Sequence, residues 1–261
     1  VKDRYPKIYG EPKEDVLLVS HLTNQYLHDI SFSLKKGEIL GVTGLKGSGK
    51  TSLARALFGL DPVEPGSIYV DGKRVIPKNT QNAVNSGISF VPADRFDKGL
   101  ALCASVANNT VITNLEHLIK TIFISDQKKR QTVAEYKEML GIRYHSELEQ
   151  VQNLSGGNQK KVMLSKWILR KTKVMIMNEP TSSMDIASKV DIYNCINEMV
   201  LKGVGIILIS TEIPELLGMC DRIIVLRKAR IVATFDRKHA TQELIMHAAL
   251  GIAPAENSAS M

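Results

Sequence analysis

Aromatic residues make up 5% of this 261-residue chain, with a single Trp, and its longest apolar runs, such as "GIILIS" (205–210), are strand-length. The first shortage leaves no evident platform for stacking nucleobases. The second excludes a readable membrane-spanning helix, which needs roughly 20 apolar residues. Cysteines are few and far apart: Cys103, Cys195 and Cys220 form no C-x-x-C and have no His at ligand spacing. That excludes a disulfide framework and leads us to expect a reducing, cytosolic location. There is no acidic excess either, since 34 Lys+Arg against 27 Asp+Glu give +7. The basic residues are scattered, with only short clusters such as Lys128-Lys129-Arg130 and Lys160-Lys161, so no nucleic-acid partner is expected. No signal peptide, internal repeat or low-complexity tract is visible. Because it opens on Val1 rather than Met, the sequence reads as a fragment or a processed product. Residues 1–14 read as a polar linker and residues 251–261 as a flexible tail.

What is present is a chain with 44% hydrophobic and 23% charged residues, enough for a full core in one large domain or a domain with a subdomain. "VLLVSHL" (16–22), "ISFSL" (30–34) and "EILGVTG" (38–44) predict strands, and "GSIYVDGKRV" predicts a hairpin turned at Asp71-Gly72. "ISFVP", "VMIMN" and "GIILIS" are continuously apolar between breakers, the pattern of parallel strands buried on both faces. Residues 125–140 predict a polar, peripheral helix with Ser125 as N-cap and Gly141 past its end.

The stretch "GLKGSGKTS" (44–52) fits G-x-x-x-x-G-K-[ST] and lies between a strand and the helix-forming "TSLARALFG". There, Gly44, Gly47 and Gly49 permit the tight turn whose N–H groups point at phosphate oxygens, and the helix N-terminus adds positive potential. Lys50 would neutralise phosphate charge and Thr51 would ligate Mg2+, with Ser48 and Ser52 in the same nucleotide-binding stretch. A glycine turn with a solvated lysine is the bland alternative, matched by chance in roughly one chain in a hundred of this size. The strand-to-helix setting favours phosphate. A second glycine-rich helix start, Ser155-Gly156-Gly157 in "NLSGGNQKKVMLSKWIL", precedes Met163, Leu164, Trp167 and Ile168, which place one face of that helix in the core.

The order and spacing of "GLKGSGKTS", "LSGGNQ" and "VMIMNEPTSSMD" resemble the nucleotide-binding domain of ABC transporters, over about residues 16–250. More narrowly, "VPADRFDKGLALCASVANN" and "ISTEIPELLGMCDRI" resemble the second ATPase half of ribose- and galactose-type sugar importers. The resemblance implies an α/β P-loop NTPase with a parallel-sheet core, an N-terminal antiparallel β subdomain and a helical subdomain at about 95–165, within a domain spanning 15–250. It implies an ATP hydrolase that uses ATP and Mg2+ at the cytoplasmic face of a bacterial-type plasma membrane and powers import of a sugar. Its partners would be another ABC ATPase half, paired head to tail, and transmembrane permease subunits, with a sugar-binding protein acting indirectly.

Residue by residue, the resemblance makes Glu179 the general base and lets Ser155, Gly156 and Gly157 cover ATP held by Lys50 and Thr51 of the opposite domain. Asp185 falls on the loop that communicates across the pair, while Tyr26 is either an adenine-stacking ring or a plain surface tyrosine. The sequence departs from the pattern at three points. Asn178 stands where the family has an Asp supporting Mg2+, Ala93 where it has Gln or Glu, and Thr211 where it has the switch His. An amide accepts a hydrogen bond but carries no charge and presents donors to a cation's water shell. A weakened site, whose signature loop still completes the partner's, is therefore the alternative expectation. The small and apolar residues of "GLALCASVANN" are expected to form a docking groove for the membrane subunit. A soluble relative acting on ribosomes or DNA would want a long charged linker, a coiled-coil insertion or a zinc cluster, and none is present.

Overall fold

The computed structural model describes residues 5–8, 14–64, 68–94, 99–115, 119–120, 123–168, 170 and 172–252. Near the N-terminus, β1 (Asp15–Asn24), β2 (Leu27–Lys35), β4 (Ile68–Val70) and β5 (Lys73–Val75) form an antiparallel sheet in the order β2-β1-β4-β5. The hairpin between β4 and β5 turns at Asp71 (φ 54°) and Gly72 (φ 73°), both left-handed as a two-residue turn requires.

The larger sheet runs β12-β11-β3-β10-β9-β6, from β3 (Ile39–Thr43), β6 (Ile88–Val91), β9 (Val174–Asn178), β10 (Gly205–Ile209), β11 (Arg222–Arg227) and β12 (Arg230–Asp236). Every residue of β3, β6, β9 and β10 is buried, and the five strands β6, β9, β10, β3 and β11 are parallel. The continuous apolar runs are therefore interior strands, as their patterning predicts. The antiparallel β11–β12 hairpin escapes that reading because Lys228 (φ 46°) and Ala229 (φ 63°) make its turn without Gly or Asn.

Helices α1 (Lys50–Leu57), α2 (Thr80–Asn85), α6 (Ile186–Leu201), α7 (Ile213–Met219) and α8 (Gln242–Leu250) accompany this sheet. The helical part comprises α3 (Val106–Val111), α4 (Asp126–Leu140) and α5 (Gly156–Ile168), with the short strands β7 (Ile119–Lys120) and β8 (Phe123–Ile124). The Ser125 hydroxyl accepts from the Lys128 N–H at 3.4 Å, and Gly141 (φ 56°) ends α4, as expected. On α5 burial is not confined to one face. Gln159, Lys160, Lys161, Val162 and Ser165 are buried together with Met163, Leu164 and Trp167. The Lys160-Lys161 pair is thus interior rather than a surface cluster, its charge met by Ser182 and by Asp191 at 2.6 Å.

Residues 5–8, within the stretch read as a polar linker, are docked. The Tyr5 ring centroid lies 5.6 Å from that of Tyr193 on α6. The Lys7 side chain, 2% exposed, pairs with Asp221 at 2.7 Å and donates to the Met219 carbonyl at 2.8 Å. Burial pushes its ammonium pKa down against the pull of Asp221. Ile8 N–H donates to Asn197 Oδ1 at 3.2 Å, and Asn197 returns a bond to the Pro6 carbonyl. A polar sequence docks here because its buried ammonium meets the half-buried Asp221 carboxylate. Of the expected flexible tail, only Gly251 and Ile252 lie within the described residues.

Candidate functional site

The carboxyl ends of β3, β10 and β9 lie side by side, through the pairs Ile209–Val42 and Ile209–Asn178. Ligands of open α/β sheets bind at that edge. From β3 the chain enters residues 44–49, with Gly44 (φ 151°), Gly47 (φ 81°) and Gly49 (φ 106°) all in conformations that favour glycine. A Cβ on Gly44 would sit 2.2 Å from the Leu226 carbonyl oxygen, so only glycine fits there. Gly49 caps α1. The Ser48 hydroxyl, in a residue 5% exposed, has no hydrogen-bond partner among the described residues. Lys50 Nζ donates to the Gly44 carbonyl at 3.0 Å. Burial lowers its pKa, and the Glu179 carboxylate is the group that raises it. Thr51 is exposed at the start of α1, with Ser52 half-buried beside it.

Glu179 follows β9 in the left-handed region (φ 50°), and its N–H donates to the Ile209 carbonyl at 2.8 Å. Burial raises the pKa of its carboxyl, while the Thr211 hydroxyl, donating to Oε2 at 3.3 Å, and Lys50 act to lower it. Thr211 thus touches the carboxylate, a contact that a comparison with the missing His does not suggest. Asn178 is 4% exposed, and its side-chain amide makes no hydrogen bond among the described residues. It lines a groove of about 810 Å³ together with Thr51 and Ala93.

One wall of this groove is aromatic, with Phe58 tilted against Phe90 at 5.3 Å and edge-on to Trp167 at 5.8 Å and the half-exposed Ile112 beside them, while Arg55, Gln81, Lys166 and Arg170 add polar lining. It is not built from "GLALCASVANN" as expected. Of the longer family-like stretch "VPADRFDKGLALCASVANN" (91–109), residues 95–98 lie outside the described residues. Residues 101–109 close on themselves around the buried Asn109, whose amide bonds Ala101, Ala104 and Ser105.

The signature residues are not joined to this site. Among the described residues Ser155 Oγ bonds only Asn158, accepting from its Nδ2 at 2.9 Å and its N–H at 3.4 Å, and a Cβ on Gly157 would meet Ser188 Oγ at 3.3 Å. Ser155 is exposed, and Gly156 opens α5. Asp185 caps α6 by accepting from the Ser188 N–H at 2.9 Å and its hydroxyl at 2.7 Å, which lowers its carboxyl pKa. Tyr26 is 50% exposed in the β1–β2 turn, and its neighbour Leu27 lies against Gly49 of the P-loop.

The family model described as ABC transporter matches residues 27–182. The chain belongs to the ABC transporter family. This ABC ATPase domain is 40% identical over 252 residues to the ribose import ATP-binding protein RbsA of Geobacillus kaustophilus, covering 96% of this chain and 51% of that protein. It is 39% identical over 251 residues to the protein of the same name from Lactococcus lactis, again covering 96% and 51%. The chain therefore spans about half the length of the curated relatives it matches. A solved ATP-binding cassette of an ABC transporter, in its ADP conformation, has the same fold, with a TM-score of 0.74 at 21% identity over 91% of this chain and 96% of the other. Among the described residues no helix is long and apolar enough to cross a membrane.

Proposed function

We propose that this ABC ATPase domain binds ATP across residues 44–52 and hydrolyses it to power import of a sugar, ribose or a similar one by analogy with the relatives. The observation that carries the proposal is the P-loop itself. Its buried Ser48 hydroxyl is unpaired and Lys50 is parked on a backbone carbonyl, so donors are gathered where an anion would lie. An incoming phosphate oxygen replaces the Gly44 carbonyl as the partner of Lys50, with Gly47 and Gly49 turning N–H groups inward. Glu179 takes the proton of a water that attacks the γ-phosphorus in line as the bond to ADP breaks. The burial that raises its carboxyl pKa strengthens it as a base.

Mg2+, when bound, neutralises charge on the β- and γ-phosphates. Thr51 offers it a hydroxyl and Asn178 a neutral amide facing the same groove. Among the described residues no group of three His, Cys, Asp or Glu could hold a metal, so nucleotide oxygens and water would complete its shell. The exposed Ser155 and the half-buried Gly156 and Gly157, which touch no group of their own P-loop among the described residues, serve the ATP of a second ABC half in a head-to-tail pair. The aromatic wall of the groove at Phe58 and Trp167, with Ile112 beside it, receives a cytoplasmic helix of a transmembrane permease subunit, which holds the domain peripherally at the membrane. The sugar-binding protein then acts through the permease.

One observation favours a second reading: the uncharged, unbonded Asn178 amide, with Ala93 contributing no polar side chain nearby. In that reading this site turns over slowly and the signature loop completes the other half's site. Calorimetric titration with ATP in Mg2+ tests the assignment. Lys50→Ala should weaken binding by about tenfold to a hundredfold, the loss of one charged hydrogen bond; an unchanged affinity would overturn it.

A further inference from the structure

Two non-glycine residues of the loop 179–185 adopt the left-handed region, Glu179 at φ 50° and Ser183 at φ 59°. Backbone of this kind persists only when its surroundings hold it. Two side chains do so. Lys160 on α5 donates to Ser182 Oγ at 2.8 Å, to the Ser182 carbonyl and to the Glu179 carbonyl at 3.5 Å. From α7, Glu215 Oε1 accepts from the Thr181 hydroxyl at 2.5 Å and from the Tyr193 hydroxyl at 2.8 Å.

Glu215 is fully buried, with Thr181 and Tyr193 each 1% exposed. Its Oε2 has no partner, and no cation pairs with it, among the described residues. For stability alone, an apolar side chain of similar volume would serve at least as well as a buried carboxylate. What the carboxylate adds is direction: it fixes the Thr181 hydroxyl, and with it the loop, in one orientation. The same short stretch of chain also reaches Glu179 itself, because Thr211, two residues before α7, donates to the Glu179 carboxyl at 3.3 Å. Glu179 and Thr181 are thus gripped together by one element whose sequence shows no motif beyond its likeness to the family.

We propose that Glu215 is a positioning residue for hydrolysis, holding the loop through Thr181 so that the Glu179 carboxylate keeps its aim at the nucleotide. Its negative charge also adds to the burial that raises the Glu179 carboxyl pKa. The proposal rests on Glu179 acting as the base, and the test separates the two ideas. Thr181→Val removes one hydroxyl at constant shape, Glu215→Leu removes both acceptors, and Glu215→Gln keeps an oxygen for both hydroxyls.

Amide hydrogen exchange, read on the nucleotide-free chain, should quicken by about tenfold over residues 181–185 in the Val and Leu variants and stay unchanged in β10. In steady-state hydrolysis the same two variants should lower kcat by about tenfold with KM for ATP within about twofold, and Glu215→Gln should restore both readouts. Unchanged exchange over 181–185, a KM that moves with kcat, or a Gln variant as defective as Leu would each overturn the proposal. If Glu215→Leu fails to fold, Thr181→Val decides alone. Should Glu179→Gln leave kcat intact, the base assignment falls, and the exchange result still decides whether Glu215 fixes the loop.

Discussion

Replacing Asn178 by Asp would put a carboxylate at the end of β9, in a residue 4% exposed whose side chain now has no hydrogen bond among the described residues. In the free protein the groove offers that charge the Thr51 hydroxyl and water but not the cation that comes with ATP. Full burial would cost several kcal/mol, but the groove shared with Thr51 admits water, so we expect about 1–2 kcal/mol of destabilisation at pH 7. For a domain of this size each kcal/mol moves Tm by roughly 2–4 °C, which predicts a fall of about 2–8 °C. The sign with pH follows from linkage. The fold would raise the Asp pKa above its unfolded value, so the loss sets in as pH rises through the unfolded value, is complete above the folded one, and vanishes in acid. Mg2+ with ATP supplies the missing cation, so it should raise the Tm of Asn178→Asp more than that of the parent chain. Turnover should rise by at most about tenfold, because Ala93 and Thr211 are unchanged. Circular dichroism melts at pH 4 and 7, with ATP and either Mg2+ or a chelator, read all of this. A variant that melts with the parent without Mg2+, and gains no more from Mg2+ than the parent does, would refute the placing of Asn178 beside the cation.

Gly44→Ala should abolish ATP binding in calorimetry, because its Cβ would press on the Leu226 carbonyl oxygen, which is backbone and cannot swing away. Gly47→Ala meets nothing within 4 Å and bears only the strain of φ 81°, about 1 kcal/mol, so its affinity should fall by no more than about fivefold. Glu179→Gln should cut hydrolysis by about a hundredfold or more with ATP affinity intact. Since burial raises the pKa of the Glu179 carboxyl, ionising it costs stability once pH passes the unfolded value; the Gln variant should melt above the parent at pH 7, and the gap should close by pH 4.

The P-loop and the buried strands are legible in the sequence because each is local: nine consecutive residues set the loop, and unbroken apolar runs set β6, β9 and β10. What escapes is set by distant partners. Lys7 looks like linker until Asp221 lies beside it, and Lys160 looks like surface until Ser182 takes its ammonium. Thr211 counts as a loss when compared with a missing His, yet its hydroxyl reaches Glu179. The bond from Thr181 to Glu215 joins residues 34 positions apart and leaves no periodicity to read. The β11–β12 hairpin is hidden for a different reason, a turn made by Lys228 and Ala229 instead of by the residues that usually mark one.

The strand that delivers the phosphate loop is paired only with strands made much later. β3 lies between β10 and β11, with Ile39 beside Ile206 and Leu40 beside Arg222. At roughly 5–20 residues per second, a ribosome leaves β3 without these neighbours for about 10–30 s. During that interval an apolar strand with both edges open is exposed to wrong pairing, and the nascent P-loop has no floor on which to select a nucleotide. Faults in β10 or β11 will therefore register first as lost yield of soluble protein, well before any assay of the finished domain can detect them.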